Sequence, residues 1–499
     1  MKKQTRLSHL NTLFYLAVLA AILTFALLQP FGDPPDEVNR YKVAQFICRY
    51  AALPTGEEFE VAIGGYGGSY AFQPILPYMI QGFLMRFVSL FTKENLALLL
   101  CARIVNALFG VIMAVYVRRL SVLLFRERTA GWLFCFLIMF LPQNLFLHSY
   151  VNTDSMASMS GAVILYACVS GMRSDWRRRD CLTLCAGIIC CALSYYNAYG
   201  LIVAAVLLFA ISHLKKRTDG RLAVDWSGLL RKGLMISAIV LLGIGWWFIR
   251  NYIIHDGDFL GLQARIANSI RTALPEYNPA TRVTVAASGA SLSDMLFRMD
   301  FLYFLWNSFV ARFGPMTLPT LPFLYIWYYR IFFWGFVFAL IPASLIRGGQ
   351  KTQTAESKIS QAERGASNMP CENNEAVEPE PWKRQSQRLL FHLALLLVIL
   401  ITFGLCVYYS YTSDYQPQGR YIMPMLIPFM YFVTLGFDKL TALFTNRLPV
   451  AALRRYCRPV IMGGLLLFLS GALTLTLVRV VIPHYVSGVN LWNADWIAF

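Results

Sequence analysis

The sequence predicts an all-α polytopic membrane protein, and three observations carry that prediction. Hydrophobic residues make up 57% of the 499 and charged residues only 14%, with a mean hydropathy of +0.52; a soluble chain carries about a quarter charged residues. Apolar runs near the ~20 residues needed to cross a bilayer recur along the chain. The basic residues gather between those runs, as Arg118-Arg119 with Arg126 and Arg128, Arg177-Arg178-Arg179, Lys215-Lys216-Arg217 and Arg454-Arg455. That is the positive-inside pattern. The net charge of +17 therefore reads as topology, and no nucleic-acid partner is expected.

The expected ladder has about eleven transmembrane helices, with the N-terminus inside and the C-terminus outside. Residues 1–250 form a first transmembrane module. Its first helix, 12–29, follows Lys2, Lys3 and Arg6; it resembles a signal peptide but lacks a small-residue cleavage site and reads as an uncleaved span. An outer loop, 30–94, holds an acidic stretch and a flexible glycine-rich piece, Gly64 to Gly68. No strand precedes those glycines and no Gly-Lys-Ser/Thr follows, so they are not expected to cradle a phosphate. Helices are expected at 95–117, 130–147, 155–172, 181–197, 199–213 and 233–249. Residues 251–321 read as an outer loop with amphipathic interfacial helices. Helix eight is expected at 322–346, and 347–388 is polar and proline-bearing, a flexible cytoplasmic linker. A C-terminal transmembrane module, 389–499, has helices at 389–411, 421–438 and 459–482 and an aromatic tail with Trp492 and Trp496. Of eleven cysteines only Cys48 falls in an outer segment, so neither a disulfide framework nor a metal site is expected from them.

The acidic stretch, Phe31 to Tyr41, organises the rest. Pro30, Pro34 and Pro35 end the first apolar run. From Val38, the residues Tyr41, Ala44, Ile47, Cys48 and Ala51 recur at helical spacing, with Asn39, Arg40, Lys42 and Arg49 largely opposite; this predicts a helix lying on the membrane. One reading makes Asp33 the N-cap, Pro34 the first helical residue and Asp36 the third-position acid of a capping box. The other makes Asp36 or Glu37 a general base at the membrane surface. The two are compatible.

Three further polar stretches fall on the same predicted face: His148 to Asp154, Arg250 to Asp258 and Tyr415 to Tyr421. With Pro34-Pro35-Asp36-Glu37, Asn152-Thr153-Asp154, Trp247-Phe248-Ile249-Arg250-Asn251-Tyr252, Arg312-Phe313-Gly314 and Gln418-Gly419-Arg420-Tyr421, the chain resembles a GT-C-fold membrane glycosyltransferase. This class includes protein O-mannosyltransferases and lipid A aminoarabinose transferases. The match is nearest an uncharacterised bacterial family of predicted membrane glycosyltransferases. The resemblance implies inverting transfer of a sugar from a polyprenyl-phosphate donor to an acceptor hydroxyl on a glycan, lipid or protein, at the outer face of a bacterial cytoplasmic membrane.

Under that resemblance Asp36 matches the catalytic base and Glu37 its neighbour. The departing phosphate calls for cations, and arginine's planar fork suits it; Arg420 and Arg250 are the candidates, with Asn251, Gln418 and Tyr421 beside them. Asp154, with Asn152 and His148, is expected to bind substrate, its plainer role being a helix cap. A divalent cation, Mg or Mn, stays open at Asp36, Glu37 and Asp154, because some enzymes of the class use one and others do not; no two-His spacing supports it. The alternative is a transporter or lipid flippase, which calls for ionisable residues in mid-span; Arg103 and Arg479 are the few such residues.

Overall fold

The computed structural model describes residues 2–216, 222–342, 385–447 and 451–487. The chain opens with α1 (Lys2–Leu28), then α2 (Glu37–Tyr50), α3 (Leu76–Val88) and α4 (Asn95–Leu124). A broken helix follows, α5 (Arg128–Met139) and α6 (Pro142–Leu147), then α7 (Asp154–Ser174), α8 (Arg178–Ala192) and α9 (Gly200–Ser212). A small antiparallel pair, β1 (Leu214–Lys216) with β2 (Leu222–Val224), precedes α10 (Trp226–Ile254). The next segment carries α11 (Leu262–Thr272), α12 (Leu292–Phe297) and α13 (Phe301–Val310), then β3 (Arg312–Phe313) paired with β4 (Leu318–Pro319). After α14 (Pro322–Ala339) come α15 (Gln385–Thr412), a 3-10 turn at Gly419–Met425, α16 (Leu426–Arg447), α17 (Ala451–Thr476) and α18 (Ile482–Ser487).

Helices dominate because a backbone in lipid must satisfy its own polar groups. Among the described residues seven helical segments are long and apolar enough to cross a membrane: 9–28, 95–124, 154–174, 226–254, 387–412, 419–446 and 456–486. Seven such segments do not by themselves confirm the expected eleven. The span expected at 130–147 breaks before Pro142, leaving α5 with 12 residues, about 18 Å at helical rise. The pair expected at 181–197 and 199–213 shortens to helices of 15 and 13 residues, parted by a turn at Tyr196–Ala198. α14 ends at Ala339, short of the expected 346. Of the linker expected at 347–388, residues 347–384 lie outside the described residues and 385–388 open α15; the tail bearing Trp492 and Trp496 also lies outside them.

α7 is the central span, with 94% of its apolar window buried, whereas α10 is peripheral at 11%. The sequence explains the contrast. Ser155, Ala157, Ser158, Ser160, Gly161 and Ala162 are all buried on α7, and small residues let helices approach closely where lipid gives no hydrophobic drive to associate. α1 and α4 run antiparallel: Arg118 Nε donates to Asn11 Oδ1 at 3.0 Å near one end, and Arg103 Nη1 to Ala26 O at 2.7 Å near the other. α2 packs its buried Tyr41, Val43, Ala44, Ile47 and Cys48 against α3 and the loop beneath it. The face predicted to be apolar is thus the one that packs on protein. Ten cysteines are free thiols; Cys371 is outside the described residues.

Candidate active site

The site forms where α1 ends and where α2, α7 and the Gly419–Met425 turn begin. Asp36 has φ 62 and ψ 6, in the left-handed region, with no side-chain cap hydrogen bond, and the helix starts at Glu37. The expected capping box is thus absent. Asp33 does not cap either; its Oδ2 accepts from Tyr485 Oη at 2.6 Å. The reversal at Asp36, set by the prolines before it, sends two consecutive carboxylates in different directions.

Glu37 points into the protein. It and Arg103 have fully buried side chains and pair at 2.6 Å (Nη2 to Oε2), with Nε to Oε1 at 2.8 Å. Glu37 also accepts from the backbone N–H groups of Val151 at 3.1 Å and Gly32 at 3.3 Å. Arg103 further donates to the carbonyls of Ala26, Gln29 and Pro30. The pair therefore joins the end of α1, the acidic loop and the strand of chain before α7. Gln29, donating to Ser149 Oγ at 2.9 Å, and Asn106, donating to the carbonyls of Tyr150 and Asn152, hold the same region.

Asp36 points the other way and is 32% exposed. Its Oδ2 accepts from Arg420 Nη2 at 2.6 Å, and Arg40 Nη2 lies 4.0 Å away. Arg40 Nη1 in turn donates to Asp154 Oδ2 at 2.8 Å, and its guanidinium lies over the Tyr70 ring. Burial pushes the Asp36 carboxyl up, but the guanidiniums of Arg420 and Arg40 outweigh it and hold it at about 2. Asp154, Arg40 and Arg420 are nearly fully buried, yet Arg420 Nε and Nη1, Arg40 Nε, Asp154 Oδ1 and Gln418 Oε1 have no hydrogen-bond partner. Buried polar groups are normally satisfied, so this cluster of unmet donors and acceptors is chemically suited to a polar ligand or water.

Arg420 is placed by Gly419. The Gly419 N–H donates to Ser308 Oγ on α13 at 2.7 Å, and a Cβ at 419 would lie 2.1 Å from the backbone nitrogen of Phe309. Tyr421 Oη accepts from Arg420 Nη2 at 3.0 Å and donates to Gln416 Oε1.

Asp36, Asp154, Gln418, Arg420 and Tyr421 thus come together as the sequence suggested. Others do not join them. Arg250 donates to the carbonyls of Leu53 and Pro54 and lies over the Trp247 ring; it holds the loop after α2 to α10. Asn251 is buried with its amide unpartnered. Asn152 shapes the turn, its Oδ1 accepting from Ser155 N at 2.9 Å; it supplies the cap contact expected of Asp154. His148 Nδ1 lies 2.7 Å from Asn144 O, burial lowers its pKa to about 4, and its Nε2 is buried without a partner. Glu37 is a positioning residue. Arg40 and Arg103 were not among the expected site residues. Arg40 is four residues after Asp36 and so on the same helix face, a spacing that could have flagged it. Arg103 is buried in the staple, and Arg479 lies exposed in the π-helical stretch Leu477–Val481. Neither forms part of a charged path.

Among the described residues no group of three His, Cys, Asp or Glu could hold a metal. Asp36, Glu37 and Asp154 each face an arginine, a donor set that does not fit a divalent cation.

The family described as Predicted membrane protein (DUF2142) matches residues 42–429. The chain belongs to this family. The DUF2142 match covers Asp154 and Arg420 and begins just after Asp36, Glu37 and Arg40. Curated proteins show no sequence match. Among solved structures, the chain is similar to the Archaeoglobus fulgidus oligosaccharyltransferase tethered with an acceptor peptide, at 13% identity and TM-score 0.48, over 92% of this chain and 55% of that one. It is similar to the same organism's oligosaccharyltransferase AglB in complex with an inhibitory peptide and a dolichol-phosphate, at 14% identity and TM-score 0.45, over 92% and 55%. It is also similar to ArnT from Cupriavidus metallidurans bound to undecaprenyl phosphate, at 12% identity and TM-score 0.46, over 95% and 77%. The chain spans only about 55% of the length of the oligosaccharyltransferase chains.

Proposed function

We propose that this DUF2142 protein is an integral membrane glycosyltransferase of GT-C type. It moves a sugar from a polyprenyl-phosphate donor to an acceptor hydroxyl, with inversion, at the outer face of the cytoplasmic membrane. The observation that carries this reading is the Asp36–Arg420 pair, set among buried polar groups that lack partners. In the transfer the acceptor oxygen attacks the anomeric carbon and the bond from that carbon to the phosphate oxygen breaks. The acceptor's proton passes to Asp36, and Arg420 holds the leaving polyprenyl phosphate. A carboxylate beside the anomeric carbon also favours the positive charge that develops there. Arg40, braced by Asp154, keeps a second cation near the reacting groups. A transporter reading would need an ionisable path across the bundle; Arg103 is instead consumed by a saturated staple.

The reading is tested by supplying purified protein with a panel of polyprenyl-phosphate sugars and envelope extracts as acceptor. Transfer by the wild type and none by Asp36→Asn supports it; release of free sugar or transport with no glycoside formed overturns it. Its topology is tested by single cysteines at 283 and 127 in a cysteine-free background. An impermeant reagent on intact cells should label 283 and spare 127, and the reverse would put Asp36 on the wrong face.

A further inference from the structure

A guanidinium can grip two oxygens of one anion along two edges, Nε with Nη2 or Nη1 with Nη2. Both edges include Nη2. In Arg420 the two hydrogens of Nη2 are committed, one to Asp36 Oδ2 at 2.6 Å and one to Tyr421 Oη at 3.0 Å. Nε and Nη1 have no partner, although the residue is only 3% exposed. The guanidinium therefore holds unused donors on both edges and cannot use either edge fully. An incoming phosphate can take a two-point grip only by displacing the carboxylate or the phenol. The phenol is itself anchored, donating to Gln416, and Asp36 is the partly exposed member.

We propose that Asp36 Oδ2 stands where a phosphate oxygen of the polyprenyl-phosphate donor binds, so that carboxylate and donor compete for Arg420 Nη2. This rests on the glycosyltransferase reading and adds to it an order of events. In the donor-free site Asp36 Oδ2 is bound to Arg420, which makes the carboxylate a weaker base toward an acceptor's proton. Seating of the donor phosphate takes Nη2, and Asp36 is released beside the anomeric carbon. Arg40, whose Nη2 lies 4.0 Å from Oδ2 in the donor-free site, is then the other cation beside it. The base is thus exposed only when the leaving group is already in its cradle. No co-reactant is needed: one proton moves from the acceptor hydroxyl to Asp36, one C–O bond forms and one breaks.

The test is equilibrium binding of a polyprenyl monophosphate to the full-length protein in nanodiscs, in a double-mutant cycle. Asp36→Asn should bind this probe about tenfold more tightly than the wild type, since a charge-assisted competitor is gone, while losing turnover. Asp36→Gly, which suits the left-handed backbone at 36, should tighten binding likewise and serves if the Asn variant is unstable. In the Arg420→Ala background, where binding is weaker, Asp36→Asn should change nothing. Equal tightening in both backgrounds would mean general loss of negative charge, and overturns the competition. Unchanged or weaker binding by both Asp36 variants overturns it too. No saturable binding by wild type or any variant overturns the glycosyltransferase reading itself, a result distinct from binding that ignores residue 36.

Discussion

Residues 36 and 37 are adjacent carboxylates, each paired with an arginine far along the chain, and the two pairs differ in almost everything else. Glu37–Arg103 is fully buried, and both carboxylate oxygens and all three guanidinium nitrogens are engaged. Asp36–Arg420 is half open, with two of the three guanidinium nitrogens idle. A saturated pair has no capacity left for a ligand and serves to fix the backbone. An unfinished pair carries unmet hydrogen-bonding potential, which a substrate can meet. Chemical type alone does not separate structure from function here; the count of unmet donors does.

The largest effect that would sharpen this contrast is on turnover. Asp36→Asn should lower kcat by about two to four orders of magnitude, the usual contribution of a general base, while the protein stays folded and its melting temperature falls only modestly with the lost ion pair. Glu37→Gln should do the opposite. Breaking a buried pair costs about 3–5 kcal/mol, so this variant and Arg103→Ala should lose monodisperse protein or melt far earlier. Normal stability with lost turnover in Glu37→Gln would erase the distinction.

Arg420→Ala should weaken donor binding by about 1.5–3 kcal/mol, the range for a charge-assisted hydrogen bond. Arg420→Lys should recover only part, because an ammonium lacks the fork. Wild-type affinity in both would move the phosphate elsewhere. The smallest effect is on acid stability. Asp36 titrates at about 2 in the fold against an ordinary 3.8, so the folded state binds its proton less readily. The stability it contributes is fully present above the ordinary value and fades as pH falls through about 2. Melting curves from pH 5 downwards should show that loss in the wild type and less of it in Asp36→Asn; parallel curves would mean that Asp36 is not held by the two arginines.

Much of this was legible in the sequence. Apolar runs and basic loops located the long helices, and the ordering of short polar motifs brought Asp36, Asp154 and Arg420 to one end of the bundle. What was not legible depended on direction. The spacing of Asp33, Pro34 and Asp36 fits a capping box as well as it fits a reversed backbone, and only the left-handed φ at Asp36 separates them. Arg250 and Arg420 looked alike as single arginines beside apolar runs, but Arg250 Nη2 is held by the backbone carbonyls of Leu53 and Pro54, whereas Arg420 Nη2 faces the carboxylate of Asp36. Arg103 looked like a mid-span charge because its partner is 66 residues away in the chain. Helix lengths were less legible: Pro142 divides the apolar stretch expected as one helix at 130–147.

The wedge of Gly419 against α13 has a mechanical consequence. With Ser308 bonded to the Gly419 N–H and no room for a Cβ beside Phe309, the guanidinium of Arg420 is mounted on the loop helix and cannot drift independently of it. The same loop is pinned to the chain before Gly419 by Tyr411, whose carbonyl accepts from Ala286 N and whose hydroxyl donates to Ala290 O, and by Tyr415, which donates to Met299 O. The segment 286–310 and the anion cradle are therefore tied together by direct hydrogen bonds. Any ligand that shifted that segment would, by thermodynamic linkage, alter affinity in the cradle, and filling the cradle would alter how firmly the segment is held. Amide exchange across 286–310, with and without a polyprenyl monophosphate, would read that linkage far from the charged groups themselves.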